Sequence, residues 1–469
     1  MSLLTDRLQR WFGAASLWLV CFSISCAPFP FGSVGIGAIT LWVGVLSAAA
    51  LLACSQPIGP SQNRLLLGWA LLALCWSIVI AVQMAPPNFL GGVLNDPIWK
   101  ETSRLLGEDI PGSPSTVKMQ PVLALGPSLV VFLGSACGLL LGGSGRRGKA
   151  VLRAFAWSGL AYAIYGIIAH IVDPTKILTY TKEQYVGELT ATFYNRNTAA
   201  IYFGCCGAAW LALMLEHIKR RVGLDLDRVA LKVLLRSRQT LFNFAALMVC
   251  VVAMFMTRSR AGSVASLIGW GVVGASYFHP VLRSRKGILT VLVGSVVGAA
   301  IGVQFLGGGL AERIGVEGVS DEGRWYAYQS TWHIIQSAPW LGKGLGSFPW
   351  VFPAYRSPNV SVWGVWDRAH NTLLEIAAEV GVPMAAVIVV AWIVIGALLV
   401  GKVLRQKGDV TVSAVALGML VAASLHTMVD FPLQIPAFAL VFFVLLGCGL
   451  AAPLTRRGAR LSTSKQTPN

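Results

Sequence analysis

Charged side chains are scarce in this sequence. Only 12% of its 469 residues are Asp, Glu, Lys or Arg, whereas an ordinary soluble domain carries about 25%. Hydrophobic residues make up 55% of the chain. So few charges cannot cover the surface of a water-soluble fold of this length, which excludes a soluble enzyme and a disordered scaffold. The composition predicts an integral membrane protein.

Acidic residues and metal-binding motifs are also scarce. The chain has 20 acidic against 37 basic residues, a net charge of +17. The basic residues form short clusters between apolar stretches, a pattern typical of membrane topology, and no nucleic-acid partner is predicted. The nine cysteines form no CxxC motif, and HExxH and GxSxG motifs are absent from the outer connections. We therefore expect neither a metal site nor a cofactor.

Long apolar stretches are what the sequence has instead. A membrane-spanning helix needs about 20 apolar residues. Twelve stretches meet this requirement, which predicts an all-α polytopic membrane protein forming a single membrane domain over residues 1–469. The twelve predicted spans are centred on 13–30, 34–54, 65–84, 121–142, 151–172, 198–215, 239–257, 261–281, 288–306, 381–401, 410–429 and 434–453.

The connections between these spans alternate in charge, which predicts their sidedness. Basic clusters such as Arg146 and Arg147 lie on one side, and the positive-inside rule then places both termini in the cytoplasm. The longest connection on that side, 216–238, has the pattern of an amphipathic helix on the membrane surface, or alternatively of a partner site. On the opposite side, residues 307–380 form one large periplasmic loop between the ninth and tenth spans, with short helices. Any chemistry is expected on this periplasmic face.

Two polar clusters are predicted at the outer ends of spans. Asn195, Arg196 and Asn197 precede the sixth span, where they could cap its helix or bind sugar hydroxyls or a phosphate. Arg258 and Arg260 lie in a tight turn on the side that normally lacks positive charge. Their guanidinium groups could reach lipid headgroups, but their planar geometry also suits the oxygens of a phosphate substrate.

A third cluster begins with a helix in the large loop. Ser320 can cap this helix, Arg324 lies near its start, and Pro339 follows its end. The helical period predicts one apolar face directed at the bilayer surface, formed by Trp325, Tyr328, Trp332 and Ile335.

The same loop carries a candidate general base, His370. Thr372 and Glu375 form a T-x-x-E capping box, so a helix should begin there with His370 just ahead of it. The positive end of the helix dipole favours a neutral imidazole, which a base needs near neutral pH. The alternative is a histidine bonded to loop backbone, and His333 and His426 are reserve candidates.

These residue types suggest group transfer from a lipid. The periplasm holds no nucleoside triphosphates, so a transferase there needs a donor that is already activated. A glycan on a lipid diphosphate fits, because its tail lies in the bilayer and its diphosphate at the surface. Arginines could stabilise the departing diphosphate while a histidine accepts the proton of the attacking hydroxyl.

Five segments carry a family resemblance. They are PFPFGS at 28–33, FYNRNTAA at 193–200, SRAG at 259–262, GRWYAYQSTWHIIQSAPWLGKGLGSF at 323–348 and AHNTLLEIAAEVG at 369–381. In this order, among twelve spans and one large loop, they resemble the O-antigen ligase and polymerase family of bacterial membrane glycosyltransferases.

The resemblance implies a GT-C-like, metal-independent and inverting transfer from an undecaprenyl-diphosphate-linked glycan. The acceptor would be the lipid A–core oligosaccharide in a ligase, or another lipid-linked glycan in a polymerase. The product would be lipopolysaccharide or exopolysaccharide, made at the bacterial inner membrane. The implied catalytic residues are His370, Arg260 and Arg324, and the implied substrate-binding residues are Arg258, Asn195, Arg196 and Asn197.

Two other classes of function remain open from the sequence. A transporter or flippase of lipid-linked glycans also suits twelve spans, but transporters concentrate polar residues near the midplane of the membrane. The predicted spans here are almost free of charge at mid-depth, and their polar residues gather at one surface. A structural subunit of an envelope complex would not depend on His370.

Overall fold

The computed structural model describes residues 2–223, 236–278, 322–361, 366–405 and 409–454 and is mostly helical in these ranges. The first eight helices are α1 (Ser2–Cys26), α2 (Ile36–Ala53), α3 (Pro60–Gln83), α4 (Ile98–Leu106), α5 (Gln120–Leu123), α6 (Leu125–Gly142), α7 (Gly145–Val172) and α8 (Arg196–Val222). The others are α9 (Arg238–Met256), α10 (Arg260–Phe278), α11 (Glu322–Ser337), α12 (Phe348–Tyr355), α13 (Thr372–Val380), α14 (Val382–Arg405), α15 (Thr411–Thr427) and α16 (Pro436–Ala451).

Strand structure within the described ranges is confined to one short antiparallel pair. It follows α7 and consists of β1 (Lys176–Ile177) and β2 (Tyr180–Thr181). Lys176 lies opposite Thr181 in this pair, and Ile177 lies opposite Tyr180.

Eight helical segments of the described chain are long and apolar enough to span a membrane. They are α2, α3, the continuous segment Gln120–Gly142, α7, α8, α9, α10 and α14. Helices α15 and α16 are apolar but shorter. The predicted first span, 13–30, falls mostly within α1, which is not among the eight, and the predicted ninth span, 288–306, lies outside the described residues. A multi-pass helical membrane protein is therefore confirmed, while the count of twelve, the sidedness and the 307–380 loop stay predictions.

Glycines allow two central helices to approach closely. A Cβ on Gly447 of α16 would lie 2.7 Å from the Ser135 carbonyl oxygen of α6, and one on Gly142 would lie 2.6 Å from the Cα of Cys448. A Cβ on Gly138 would collide with the carbonyl of Val444. Small residues of this kind let backbones pack where no hydrophobic effect drives helices together in lipid.

A second apolar core forms beside the ends of the spans. It joins α11, α12 and α13 through buried residues that include Ala327, Ile334, Ile335, Phe348, Phe352 and Ala377. Of the face predicted to meet the bilayer surface, Trp325 and Trp332 are exposed, whereas Ile335 is buried in this core. Helix α11 packs in the core through Ile334 and Ile335 and also through the smaller Ala327 and Thr331. Contact of the exposed tryptophans with the bilayer stays a prediction.

The boundaries of two predicted helices can be compared with the structure only in part. Helix α11 ends at Ser337, before Pro339, as predicted, but Ser320 lies outside the described residues. Of the predicted surface helix at 216–238, residues 216–222 belong to α8 instead, and 224–235 lie outside the described residues.

The glycine packing predicts a large difference between two glycine-to-alanine variants. Gly138→Ala should lower the free energy of unfolding by about 1–3 kcal/mol, because the added methyl group collides with backbone of α16. The matched control is Gly44→Ala in α2, where a Cβ meets nothing within 4 Å. Thermal unfolding in detergent should show a lower midpoint for Gly138→Ala only. Equal midpoints would contradict the close packing of α6 and α16.

Candidate active site

A buried carboxylate, Asp430, lies at the centre of the candidate site. It follows the end of α15, and its side chain is 1% exposed. The Nδ2 of Asn197 donates a hydrogen bond of 2.6 Å to its Oδ2. The same oxygen lies 3.5 Å from Nη2 of Arg324 and 3.9 Å from Nδ1 of His370. Three residues from distant parts of the chain thus meet one carboxylate.

The surroundings of Asp430 favour its charged form. Burial by itself would raise the pKa of this carboxyl group, but the neighbouring His370, His426 and Arg324 outweigh burial and lower the pKa to about 2. The Asp430 carboxylate is therefore charged at neutral pH. A buried negative charge is stable only with hydrogen-bond donors and positive groups beside it, which Asn197 and Arg324 supply.

Hydrogen bonds from side chains to the backbone fix the position of His370. Its φ angle is 53°, in the left-handed region that residues other than glycine rarely adopt. The hydroxyl of Tyr328 donates to the His370 carbonyl oxygen at 3.1 Å. One residue earlier, the Ala369 N–H donates to Oε2 of Glu375 at 2.7 Å, and Arg368 donates to Oε1 of the same carboxylate at 3.1 Å. These bonds hold the unfavourable conformation from both sides.

The predicted capping box of α13 was wrong, although the helix begins at Thr372 as expected. The cap is Asn371, whose side-chain oxygen accepts from the N–H groups of Leu373 and Leu374 at 3.1 Å each. Its Nδ2 donates to the Met428 carbonyl oxygen at 3.0 Å. The carboxylate of Glu375 does not return to the helix start, because it is already bonded to Ala369 and Arg368.

The imidazole of His370 packs between two aromatic rings. Its centroid lies 5.3 Å from that of Trp366 and 5.0 Å from that of Phe431, both edge to face. The side chain is 22% exposed, so it is reachable from outside. Because Nδ1 is the ring nitrogen that faces Asp430, Nε2 is the nitrogen that can meet a substrate.

Arg324 is fixed beside this histidine. Its Nη1 donates to the Val429 carbonyl oxygen at 2.7 Å, and its other terminal nitrogen is the one near Asp430. Arg324 and Tyr328 are one turn apart on α11, so a single helix contacts both sides of the His370–Asp430 pair.

The three residues at 195–197 have different surroundings. Asn195 caps α8, since its side-chain oxygen accepts from the N–H of Asn197 at 2.7 Å and of Thr198 at 3.4 Å. Arg196 forms an ion pair with Glu188 and lies over the ring of Tyr185. Asn197 contacts Asp430. Substrate binding by all three stays a prediction.

The turn between α9 and α10 holds the other two predicted arginines. Arg258 is exposed and has a φ angle of 55°, and Arg260 is the first residue of α10. The first turn of α10 packs on that of α8, because a Cβ on Gly262 would lie 2.6 Å from the Cβ of Ala200. The arginine turn therefore lies beside the helix start that supplies Asn197.

Part of the chain matches a known protein family. Residues 245–389 match the family model described as O-antigen ligase. This part of the chain is similar to the O-antigen ligase family. Among curated proteins, none matches the sequence. The match confirms the resemblance and indicates a membrane glycosyltransferase of the O-antigen ligase or polymerase type.

The matched residues 245–389 contain most of the candidate site. Arg258, Arg260, Arg324 and His370 lie within this range, whereas residues 195–197 and Asp430 lie outside. Within the described parts of the chain, no group of three or more His, Cys, Asp or Glu residues could hold a metal ion. The catalytic and binding roles of the individual residues stay predictions.

The sequence analysis did not identify Asp430, the carboxylate that Asn197, Arg324 and His370 all approach. A signal was present, since Asp430 is a lone acidic residue directly after an apolar stretch and four residues after His426. Tyr328 and Glu375 were noticed only as an aromatic face and a helix cap. Their actual contacts with the segment around His370 depend on tertiary structure.

Removing the central charge should destabilise the protein. Asp430→Asn is expected to lower the free energy of unfolding by about 3–5 kcal/mol, because it breaks a buried ionic cluster. Since the folded-state pKa of about 2 lies below the ordinary 3.8, the stabilisation is present above pH 3.8 and is lost as the pH falls through about 2. Unfolding measured against pH should therefore lose this acid-sensitive component in the variant. The control is Asp109→Asn, at an exposed carboxylate; equal effects of the two would contradict the cluster.

Glu375 should act on the histidine by positioning it. Glu375→Ala frees the Ala369 N–H and is expected to slow transfer by about 100-fold through misplacement of His370, with little change in the KM of the donor. Glu375→Gln keeps one acceptor oxygen and should recover part of the rate. The kcat and the KM of the donor are measured for both variants, after the elution profile has shown that each variant is folded. A rise in KM with an unchanged kcat would contradict the positioning role.

Proposed function

We propose that this protein moves a glycan from an undecaprenyl-diphosphate donor to an acceptor hydroxyl at the periplasmic face of the bacterial inner membrane. Both termini would lie in the cytoplasm. The acceptor is lipid A–core for a ligase or a lipid-linked repeat unit for a polymerase. The observation that supports this most is the meeting of His370, Arg324 and Asn197 at one buried carboxylate, Asp430.

His370 is the proposed general base. The Asp430 carboxylate faces Nδ1 and stabilises the imidazolium that forms, so Nε2 accepts the proton of the acceptor hydroxyl. The hydroxyl oxygen forms a bond to the anomeric carbon while the bond from that carbon to the diphosphate oxygen breaks. The diphosphate leaves with the bonding electron pair, and a single displacement of this kind inverts the anomeric carbon.

The arginines are the proposed partners of the leaving diphosphate. A departing diphosphate gains negative charge, which fixed guanidinium groups stabilise more in the transition state than in the ground state. Arg260 and Arg258 lie on the turn beside α8, and Arg324 lies beside the base. With Asn195, Arg196 and Asn197 at the start of α8, they would surround the diphosphate and the first sugar.

Transport of lipid-linked glycans is the second candidate function. Twelve spans would suit it equally. The position of the cluster favours transfer, because Asp430, Asn197 and Arg260 lie at helix ends and not in the middle of a span.

Transfer by the purified protein tests the proposal. Wild type in detergent, given an undecaprenyl-diphosphate glycan and either acceptor, should form product in the presence of EDTA. In His370→Ala the rate of transfer is expected to fall by about 100- to 10,000-fold, because a general base contributes that much to the rate. The matched variant is His333→Ala, whose exposed side chain lies 3.2 Å from Oε1 of Gln336.

The outcomes separate the hypotheses. Loss of transfer in His370→Ala alone supports the base assignment, and the acceptor that reacts distinguishes ligase from polymerase. An unchanged rate in that variant would rule out His370 as the base, and loss in His333→Ala would move the role there. Glycan movement across a vesicle membrane without any new glycosidic bond would instead support transport.

A further inference from the structure

Helix α4 exposes an apolar face on the side of the protein that carries the candidate active site. None of its residues is buried against the described part of the chain. Ile98 and Leu105 are seven residues apart on one face, with Leu106 next to them; Leu105 is 72% exposed and Leu106 64%. Val93, in the turn before the helix, is 83% exposed. A nine-residue helix with this surface open to water would be unfavourable.

The opposite face of α4 is polar and basic. Lys100 and Arg104 lie four residues apart there, and Arg104 forms an exposed ion pair of 3.0 Å with Glu101. An apolar face opposite basic side chains is the pattern of a helix that lies flat in a membrane surface, where the cations meet headgroup phosphates.

Asp96 holds the start of α4 against the end of α13. Its Oδ1 accepts from the Ile98 N–H at 3.0 Å, and its Oδ2 accepts from Nζ of Lys343 at 3.0 Å in a buried ion pair. The backbone N–H of Lys343 donates to the Ala378 carbonyl oxygen at 2.8 Å, in the last turn of α13. Since α14 begins at Val382, this ion pair lies where a predicted span begins.

The end of a second apolar helix meets the same place. Gln83, the last residue of α3, donates through Nε2 to the carbonyl oxygens of Leu341 and Glu379 at 2.7 Å each. Its Oε1 accepts from the Leu345 N–H at 3.0 Å. Two spans therefore end at the level where α4 is attached, which is the boundary between hydrocarbon and water.

We propose that α4 and the turn before it bind the phospholipid leaflet, with Ile98, Leu105 and Leu106 at the acyl boundary and Lys100 directed at phosphates. The occupant is lipid and not a protein partner, because the face lies at the boundary set by α3 and α14 and has cations opposite it. This inference does not depend on the transferase assignment. It has a consequence for the site, since Asp96 and Lys343 connect α4 to α13, the helix that directly follows His370 and Asn371.

Photolabelling from lipid tests the contact. The full chain is placed in nanodiscs of phosphatidylcholine and phosphatidylglycerol that carry a diazirine on the acyl chain, irradiated and digested with trypsin. Cleavage after Arg104 and Lys118 gives the peptide 105–118, which begins with both leucines. We expect label on Leu105 and Leu106, together with label in α14 as the internal reference.

A double variant provides the matched control. Leu105→Gln with Leu106→Gln changes exposed positions only, and labelling of 105–118 relative to α14 should fall about tenfold, because the attraction scales with buried apolar area. Label in α14 but not in 105–118 of the wild type would overturn the proposal and leave the face to a protein partner. Equal labelling of variant and wild type would also overturn it.

Discussion

A buried carboxylate is the constraint on which the candidate site depends. Asp430 has almost no contact with water, and an isolated charge in such a place would be very costly. It is tolerated because Asn197 donates to it and because Arg324 and His370 lie close by. These partners come from α8, α11 and the segment before α13, so one side chain holds together elements that are far apart in sequence.

His370 has a backbone conformation that is rare for a residue other than glycine. A histidine with a φ angle of 53° persists only where its surroundings impose it. Here the surroundings are Tyr328, Glu375 and the Asn371 cap, which hydrogen-bond to the backbone on either side of the imidazole or to the neighbouring segment of the chain. A second set of residues thus holds His370 in place, as the proposed role of a general base would require.

Close helix packing holds the elements that carry the site together. Helices α6 and α16 approach closely through glycines, and α8 packs against α9, α10 and α15. Gln83 and the Asp96–Lys343 pair then connect the second apolar core to α3 and α4. The candidate site is thereby connected to α4, the helix for which a lipid contact is proposed.

Local sequence patterns determined the membrane class and most of the spans, and they placed Arg324 near the start of α11 and His370 just before α13, because apolar length and helix boundaries depend on neighbouring residues. The start of α13 was found in this way, but its cap was not, since Asn371 and Thr372 are adjacent and both residue types can cap a helix. Asp430 was missed because its partners are remote; Asn197 alone is 233 residues away. Pairing across such distances is decided by how the helices pack. The sequence by itself determined which segments are long and apolar enough to enter a membrane, and only the tertiary structure decided which polar residues share one buried charge.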